Sequence, residues 1–153
     1  MDRHSHYMRK AIAVALGNRA APFGAVLVDQ DGDRIVAEGV NRTDLNPTWH
    51  GEIDVINRYS AVCAKPAWKR LELYTTAEPC PMCQAAILWA GIPRVIFGTS
   101  ISRLQDLGWK QIDIAAEELV RRTPFAHCEV LGGLLQNECD QLFCDAIENR
   151  EHH

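Results

Sequence analysis

Apolar residues recur at helical spacing at Met8, Ala11, Ile12, Ala15 and Leu16, which predicts an amphipathic helix over 5–17 ending at Gly17. The period then changes. Phe23 to Asp29 is a short valine-containing run bounded by Pro22 and by Asp31-Gly32-Asp33, and Ile35 to Val40 follows it, so two strands about an Asp-Gly turn predict an antiparallel hairpin. Arg42 to Pro47 is a polar loop. Thr48 reads as the N-cap of a helix from about His50 to Cys63, which Lys65 and Pro66 break. Leu71 to Thr76 is a third strand leading into a helix that runs to Trp89 and stops at Gly91-Ile92-Pro93, and Arg94 to Phe97 is a fourth. Between 100 and 124 the pattern is weaker. Ile101, Leu104 and Leu107 give one or two helical turns, Gly108 and Trp109 a loop, and Ile114 to Val120 another helix. Cys128 to Leu131 is a fifth strand, and Leu135, Cys139, Leu142, Phe143 and Ala146 stripe a closing helix. The order α-β-β-α-β-α-β-α-β-α predicts one three-layer α/β domain over residues 1–153 with a mixed five-stranded sheet flanked by helices.

Composition narrows the class without naming a function. With 153 residues, 47% hydrophobic and 24% charged, the chain has enough core for a domain that folds without staples. No apolar run approaches the ~20 residues of a membrane span, and Met1-Asp2-Arg3-His4 lacks a signal-peptide core, so a cytoplasmic protein is expected. In that compartment the six cysteines are metal ligands or reduced thiols, with Cys63, Cys128, Cys139 and Cys144 read as small buried hydrophobes. His4 and His6 read as solvated, and His152-His153 are set aside as a tag-like stub. A net charge of −4 and a pI near 5.8 give no support to a nucleic-acid partner, which calls for a basic face.

The chemistry concentrates in two stretches, His50-Gly51-Glu52 and Pro79-Cys80-Pro81-Met82-Cys83. Cysteines at i and i+3 put both sulfurs on one side of a first helical turn, and Pro81 fits the first helical position. The unpaired N–H groups there favour thiolate. Two thiolates and the His50 imidazole make three ligands, the number a catalytic zinc uses when water takes its fourth position. Glu52 lies beside that water as general acid and base, where zinc brings the water's pKa toward 7.

His-x-Glu followed by Pro-Cys-x-x-Cys resembles the zinc-deaminase signature, and the chain resembles the cytidine deaminase superfamily. Pro22-Phe23-Gly24-Ala25-Val26, Asn41, His50-Gly51-Glu52 and Tyr74 to Cys83 are similar to bacterial guanine deaminases and their nucleoside and tRNA adenosine deaminase relatives, over roughly residues 7–147. The resemblance implies strand order 2-1-3-4-5, one zinc per chain on His50, Cys80 and Cys83, a small nucleobase or nucleoside as substrate, and a homodimer. It makes Asn41 a reader of the base edge, Phe23 and Trp89 walls of the base slot, and Gly51, where relatives usually have alanine, a backbone contact with a small effect on pocket width. Glu78 reads as structural, and Trp49 and Trp109 have no assigned role. Guanine deaminases carry a Gly-Phe-Asp-Asp-like segment where this chain has Leu107-Gly108-Trp109-Lys110, and aromatic residues in the tail where it has Ile147-Glu148-Asn149-Arg150. Both departures count against guanine specifically and leave the deaminase reading untouched; guanine still leads as substrate, a tRNA adenosine deaminase is the alternative, and other bases, nucleosides or aminotriazines follow.

Overall fold

The first buried strand, β1 (Gly24–Asp29), is covered on both faces, which explains why its run reads as continuously apolar instead of alternating. It pairs antiparallel with β2 (Arg34–Val40) on one side and with β3 (Leu71–Ala77) on the other. Beyond β3 the sheet continues in parallel through β4 (Arg94–Thr99) to β5 (Glu129–Leu131), giving the order β2-β1-β3-β4-β5. This computed structural model describes residues 2–151, and His152-His153 lie outside the described residues.

Alternation along β1 sorts the core into two layers. Ala25 and Leu27 face Val55 and Tyr59 of α2 (Gly51–Val62) and Ile87 and Leu88 of α3 (Pro81–Ala90), whereas Val26 and Val28 face Tyr7, Met8 and Ala11 of α1 (Arg3–Ala15). Each of these fully buried aliphatic side chains contributes about 1.5–3 kcal/mol. Short helices α4 (Ile101–Asp106) and α5 (Ala116–Arg122) follow β4, and α6 (Gln136–Glu151) closes the chain, with Cys139 packed in the α1 layer. A third apolar cluster, Ala77, Leu104, Trp109, Phe143 and Ala146, fills the carboxyl end of β3. Among the described residues no helix is long and apolar enough to cross a membrane.

Several boundaries differ from the sequence reading, each for a local reason. α1 begins at Arg3 because Asp2 caps it, its carboxylate accepting from the Ser5 N–H at 2.9 Å. Thr48 is not the cap of α2: its N–H and hydroxyl both donate to Asn46 Oδ1 at 3.0 Å, and His50 holds the N-cap position instead. The helix read over 114–120 lies at 116–122, with Glu117 and Glu118 in its first turn and Arg121 and Arg122 in its last, matching the dipole. His4 is not merely solvated, since Nδ1 lies 2.6 Å from the Tyr74 hydroxyl. Of the four remaining cysteines, Cys128 and Cys139 are buried, but Cys63 and Cys144 are only half-buried.

Candidate active site

Both signature stretches sit at helix N-termini that no side chain caps. His50 precedes α2 and Cys80 precedes α3, each in extended backbone and each with its side chain free of any capping bond. The first-turn N–H groups and the positive ends of two helix dipoles therefore face the same crevice at the carboxyl end of β3. Crevices at this end of open α/β sheets are where ligands bind.

Three donor atoms converge there. Cys80 Sγ and Cys83 Sγ each lie 3.5 Å from His50 Nδ1, and all three donors fall within 4.8 Å of one another. A tetrahedral zinc with ordinary Zn–S and Zn–N lengths needs an N···S edge of about 3.6 Å, so the donor set fits zinc in spacing and in chemistry. Of the three donors, only Cys80 is held in its metal-binding form, and the other two must give up a proton when a metal binds. The Cys83 thiol, the His50 ring and the Cys83 backbone N–H hold the Cys80 thiol down at about 4, the form that binds a metal. Cys83, which shares the proton with Cys80 and is buried beside Glu52, is pushed up. His50 is raised by the adjacent Cys80 sulfur.

Glu52 is 3% exposed, and burial raises its pKa above the carboxylate norm against the opposing pull of Thr75. The Thr75 hydroxyl donates to Glu52 Oε1 at 2.7 Å, and its oxygen also lies 3.0 Å from the Ala77 carbonyl. One hydrogen serves either acceptor, so Thr75 can hold an ionised Glu52 or accept from a protonated one. Thr75 was legible only as a strand residue.

A cavity of about 210 Å³ opens over these groups, lined by Phe23, Asn41, His50, Glu52, Cys80 and Trp109 among others. Asn41 Oδ1 is already occupied by the N–H and hydroxyl of Thr43, at 3.0 and 2.8 Å, which leaves the Nδ2 donor for a ligand. Phe23 forms one wall, its ring edge-on to Trp109 at 5.3 Å and 4.8 Å from Phe143. Trp109 is fixed by its indole N–H, which donates to the Phe143 carbonyl at 3.2 Å. Its position follows from Gly108, whose φ of +98° turns the chain sharply after α4. Glu78 proves structural: one oxygen accepts from the Ile101 N–H at 2.9 Å and the other from the Ala116 N–H at 2.7 Å, tying α4 and α5 to the end of β3. Trp49 is structural too, its N–H donating to buried Asp54 at 2.9 Å.

Two expected site residues fall elsewhere. Trp89 does not line this cavity: it is 77% exposed and packs on Phe125 at 4.7 Å. Six positions after Cys83 is about two-thirds of a turn out of phase, so one helix cannot aim both at the same crevice. Gly51 does not line it either. A Cβ there would stand 2.4 Å from the Phe23 carbonyl oxygen, so the glycine allows close backbone packing between α2 and the start of β1. Thr43 and Gln111 line the cavity without having been singled out, and Trp109, Lys110 and Arg150 line it from the two segments that depart from the guanine deaminase pattern. That comparison was their only signal, and it gave them no role.

Known families give this arrangement its class. The model of the cytidine and deoxycytidylate deaminase zinc-binding region matches residues 1–99, and the chain belongs to that family of hydrolytic deaminases. Guanine deaminase of Bacillus subtilis is 36% identical over 134 residues, covering 80% of this chain and 83% of its own. The tRNA-specific adenosine deaminase of Haemophilus influenzae is 34% identical over 140 residues, 90% of this chain and 76% of its own. A solved structure of guanine deaminase from Nitrosomonas europaea has a TM-score of 0.75 at 23% identity, over 93% of this chain and 83% of that one, a likeness of fold.

Proposed function

We propose that this chain is a zinc-dependent aminohydrolase releasing ammonia from a small aminated purine or related heterocycle, with guanine the first to test. The observation that carries the reading is the cavity of about 210 Å³, below the range of drug-sized ligand sites, with an aromatic slot on one side and the three metal donors beneath. Phe23 and Trp109 form one aromatic wall for the ring to pack against, and Asn41 Nδ2 donates to a ring nitrogen or carbonyl. His50, Cys80 and Cys83 hold zinc. Bound zinc lowers the pKa of a coordinated water toward 7. With zinc and its water in place, Glu52 would accept one proton from the water and give it to the ring nitrogen, then carry a second, from the hydroxyl added at the ring carbon, to the departing amine, a task its buried position and its bond to Thr75 support.

The resemblance to the Haemophilus influenzae enzyme offers tRNA adenosine as the alternative. Against it stand the net charge of −4 and the small size of the cavity. A single domain and a homodimer belong to the same proposal, and the exposed Trp89–Phe125 pair supports the dimer, which sedimentation tests. An ammonia-release screen over guanine, adenine, cytosine, their nucleosides and aminotriazines is expected to find turnover on a free base or nucleoside with weak salt dependence. Inosine formation in a tRNA anticodon stem-loop, with inactivity on every small substrate, overturns the reading and promotes the alternative.

A further inference from the structure

The cavity has a charged rim that the chemistry described so far does not use. Its two carboxylates lie deep: Glu52 is held by Thr75, and both oxygens of Glu78 are taken by backbone N–H groups. The rim instead carries two exposed cations, Lys110 and Arg150, and neither is in an ion pair among the described residues. Among the described residues Arg150 stands out, because most of the arginines have found a carboxylate; Lys110 is unpaired as the other lysines are.

Arg150 is also held in place. Its guanidinium stacks on the Trp109 ring at 4.3 Å, and Nη2 donates to the Ala20 carbonyl at 3.0 Å. Those two contacts fix the plane of the fork and leave most of its N–H groups unspent. A fixed fork is pre-organised for a two-oxygen anion and loses little entropy on meeting one. The cavity adjoins an open groove of about 740 Å³ that shares Ala21, Asn41, Thr43 and Arg150 with it, so a substituent on the ring has somewhere to run past the fork. The groove holds one acid, Asp44, which is exposed.

We infer that Lys110 and Arg150 select a heterocycle bearing an anionic substituent, either a carboxylate on the ring or a phosphate monoester reached through the groove. This rests on the aminohydrolase reading and names the substrate class of the same cavity. Lys110 and Arg150 are specificity residues: they meet the substituent, while the ring packs in the cavity against the aromatic wall of Phe23 and Trp109.

The test separates this inference from the reading it rests on. Zinc-loaded Glu52→Gln protein is titrated calorimetrically with two pairs of probes, pterin against pterin-6-carboxylate and guanosine against guanosine 5′-monophosphate. In at least one pair the anionic member binds about ten-fold or more tightly than its neutral parent, as expected of charge-assisted hydrogen bonds. That ratio shrinks as salt rises. Which pair shows it tells carboxylate from phosphate. The ratio falls toward one when Lys110→Gln and Arg150→Gln are added together, and Arg150→Lys keeps part of it. Equal affinity within both pairs, no binding by either anionic probe, or a preference that survives the double substitution overturns the inference. Ammonia release by the unsubstituted enzyme is measured on the same compounds and on guanine. An anion preference in binding with no ammonia from any of them sinks the aminohydrolase reading alone. Ammonia release without any anion preference sinks this inference alone.

Discussion

The floor and the rim of the cavity are built in opposite ways. The floor is assembled from the ends of regular elements: His50 and Cys80 are helix N-caps, Cys83 sits in the first turn of α3, and Thr75 comes from a central strand. Their positions follow from backbone geometry repeated in any helix start. The rim comes from a turn at Gly108 and the last residues of α6, brought together by packing of Trp109 on Phe143 and by the Arg150 contact with Ala20. On the proposed reading, reaction type resides in the part that local rules specify, and selection among substrates in the part that long-range packing specifies.

The largest expected effect breaks the floor outright. Cys83→Ala leaves two ligands, so zinc content by elemental analysis falls from about one per chain to near none and turnover disappears with it. Retention of a full complement of metal contradicts the three-ligand assignment. Next, Glu52→Gln removes the proton acceptor and keeps the shape. Turnover falls by about two to four orders of magnitude while zinc stays bound, and loss of the metal in this variant would make Glu52 a ligand. On the other side of the comparison, Trp109→Ala deletes a wall. It costs about 3–5 kcal/mol of stability and raises KM while the zinc content is unchanged; metal loss here means that floor and rim are one unit.

Gly51→Ala sharpens the boundary between them. Its new Cβ meets the Phe23 carbonyl oxygen at 2.4 Å, so β1 and α2 must part, at about 1–3 kcal/mol by chemical denaturation, with the shift read in KM through Phe23. An unchanged midpoint shows that the strand entry yields freely. The smallest effect is a baseline outside both regions. The Arg3 guanidinium and the Tyr7 hydroxyl hold the exposed Asp33 carboxyl below its ordinary 3.8. Its folded pKa is depressed, so the stabilisation is present above 3.8 and lost as pH falls through the folded value. Asp33→Asn should lower Tm slightly at neutral pH, and the gap to the unsubstituted protein should close in strong acid. A gap that persists there rules out a charge effect.

How much was legible follows the same division. Helix and strand periods, the Pro81 start and the Cys80–Cys83 spacing are local, and they placed the elements and the cysteine donors, whereas the strand order came from the family resemblance. Thr48 was misjudged because several residues before an α-helix compete as its cap, and Asn46 captured both of its donors. Trp89 was misjudged because analogy assigned it to the slot while helical phase turns it away. Trp109 and Arg150 were marked only as parts of segments that depart from the family pattern, and their packing was out of reach. They lie in weakly patterned or terminal segments, and their partners Phe143 and Ala20 are 34 and 130 positions distant. Asn41 was named, but only the Thr43 contacts reveal that it has a donor left to offer and no acceptor.

The bond from Arg150 to the Ala20 carbonyl closes a loop of 130 positions, while the donors span only 33, from His50 to Cys83. Chain-closure entropy grows with the logarithm of loop length, which puts the longer closure at a disadvantage of about 1 kcal/mol. Order of assembly follows from this. A folding chain can capture its metal as soon as α2, β3 and α3 have docked, before α6 has found its place. Such a species would hold zinc and expose the hydrolytic centre to bulk water, with no wall to choose what enters. In refolding from denaturant with zinc present, metal uptake should therefore run ahead of the recovery of substrate discrimination.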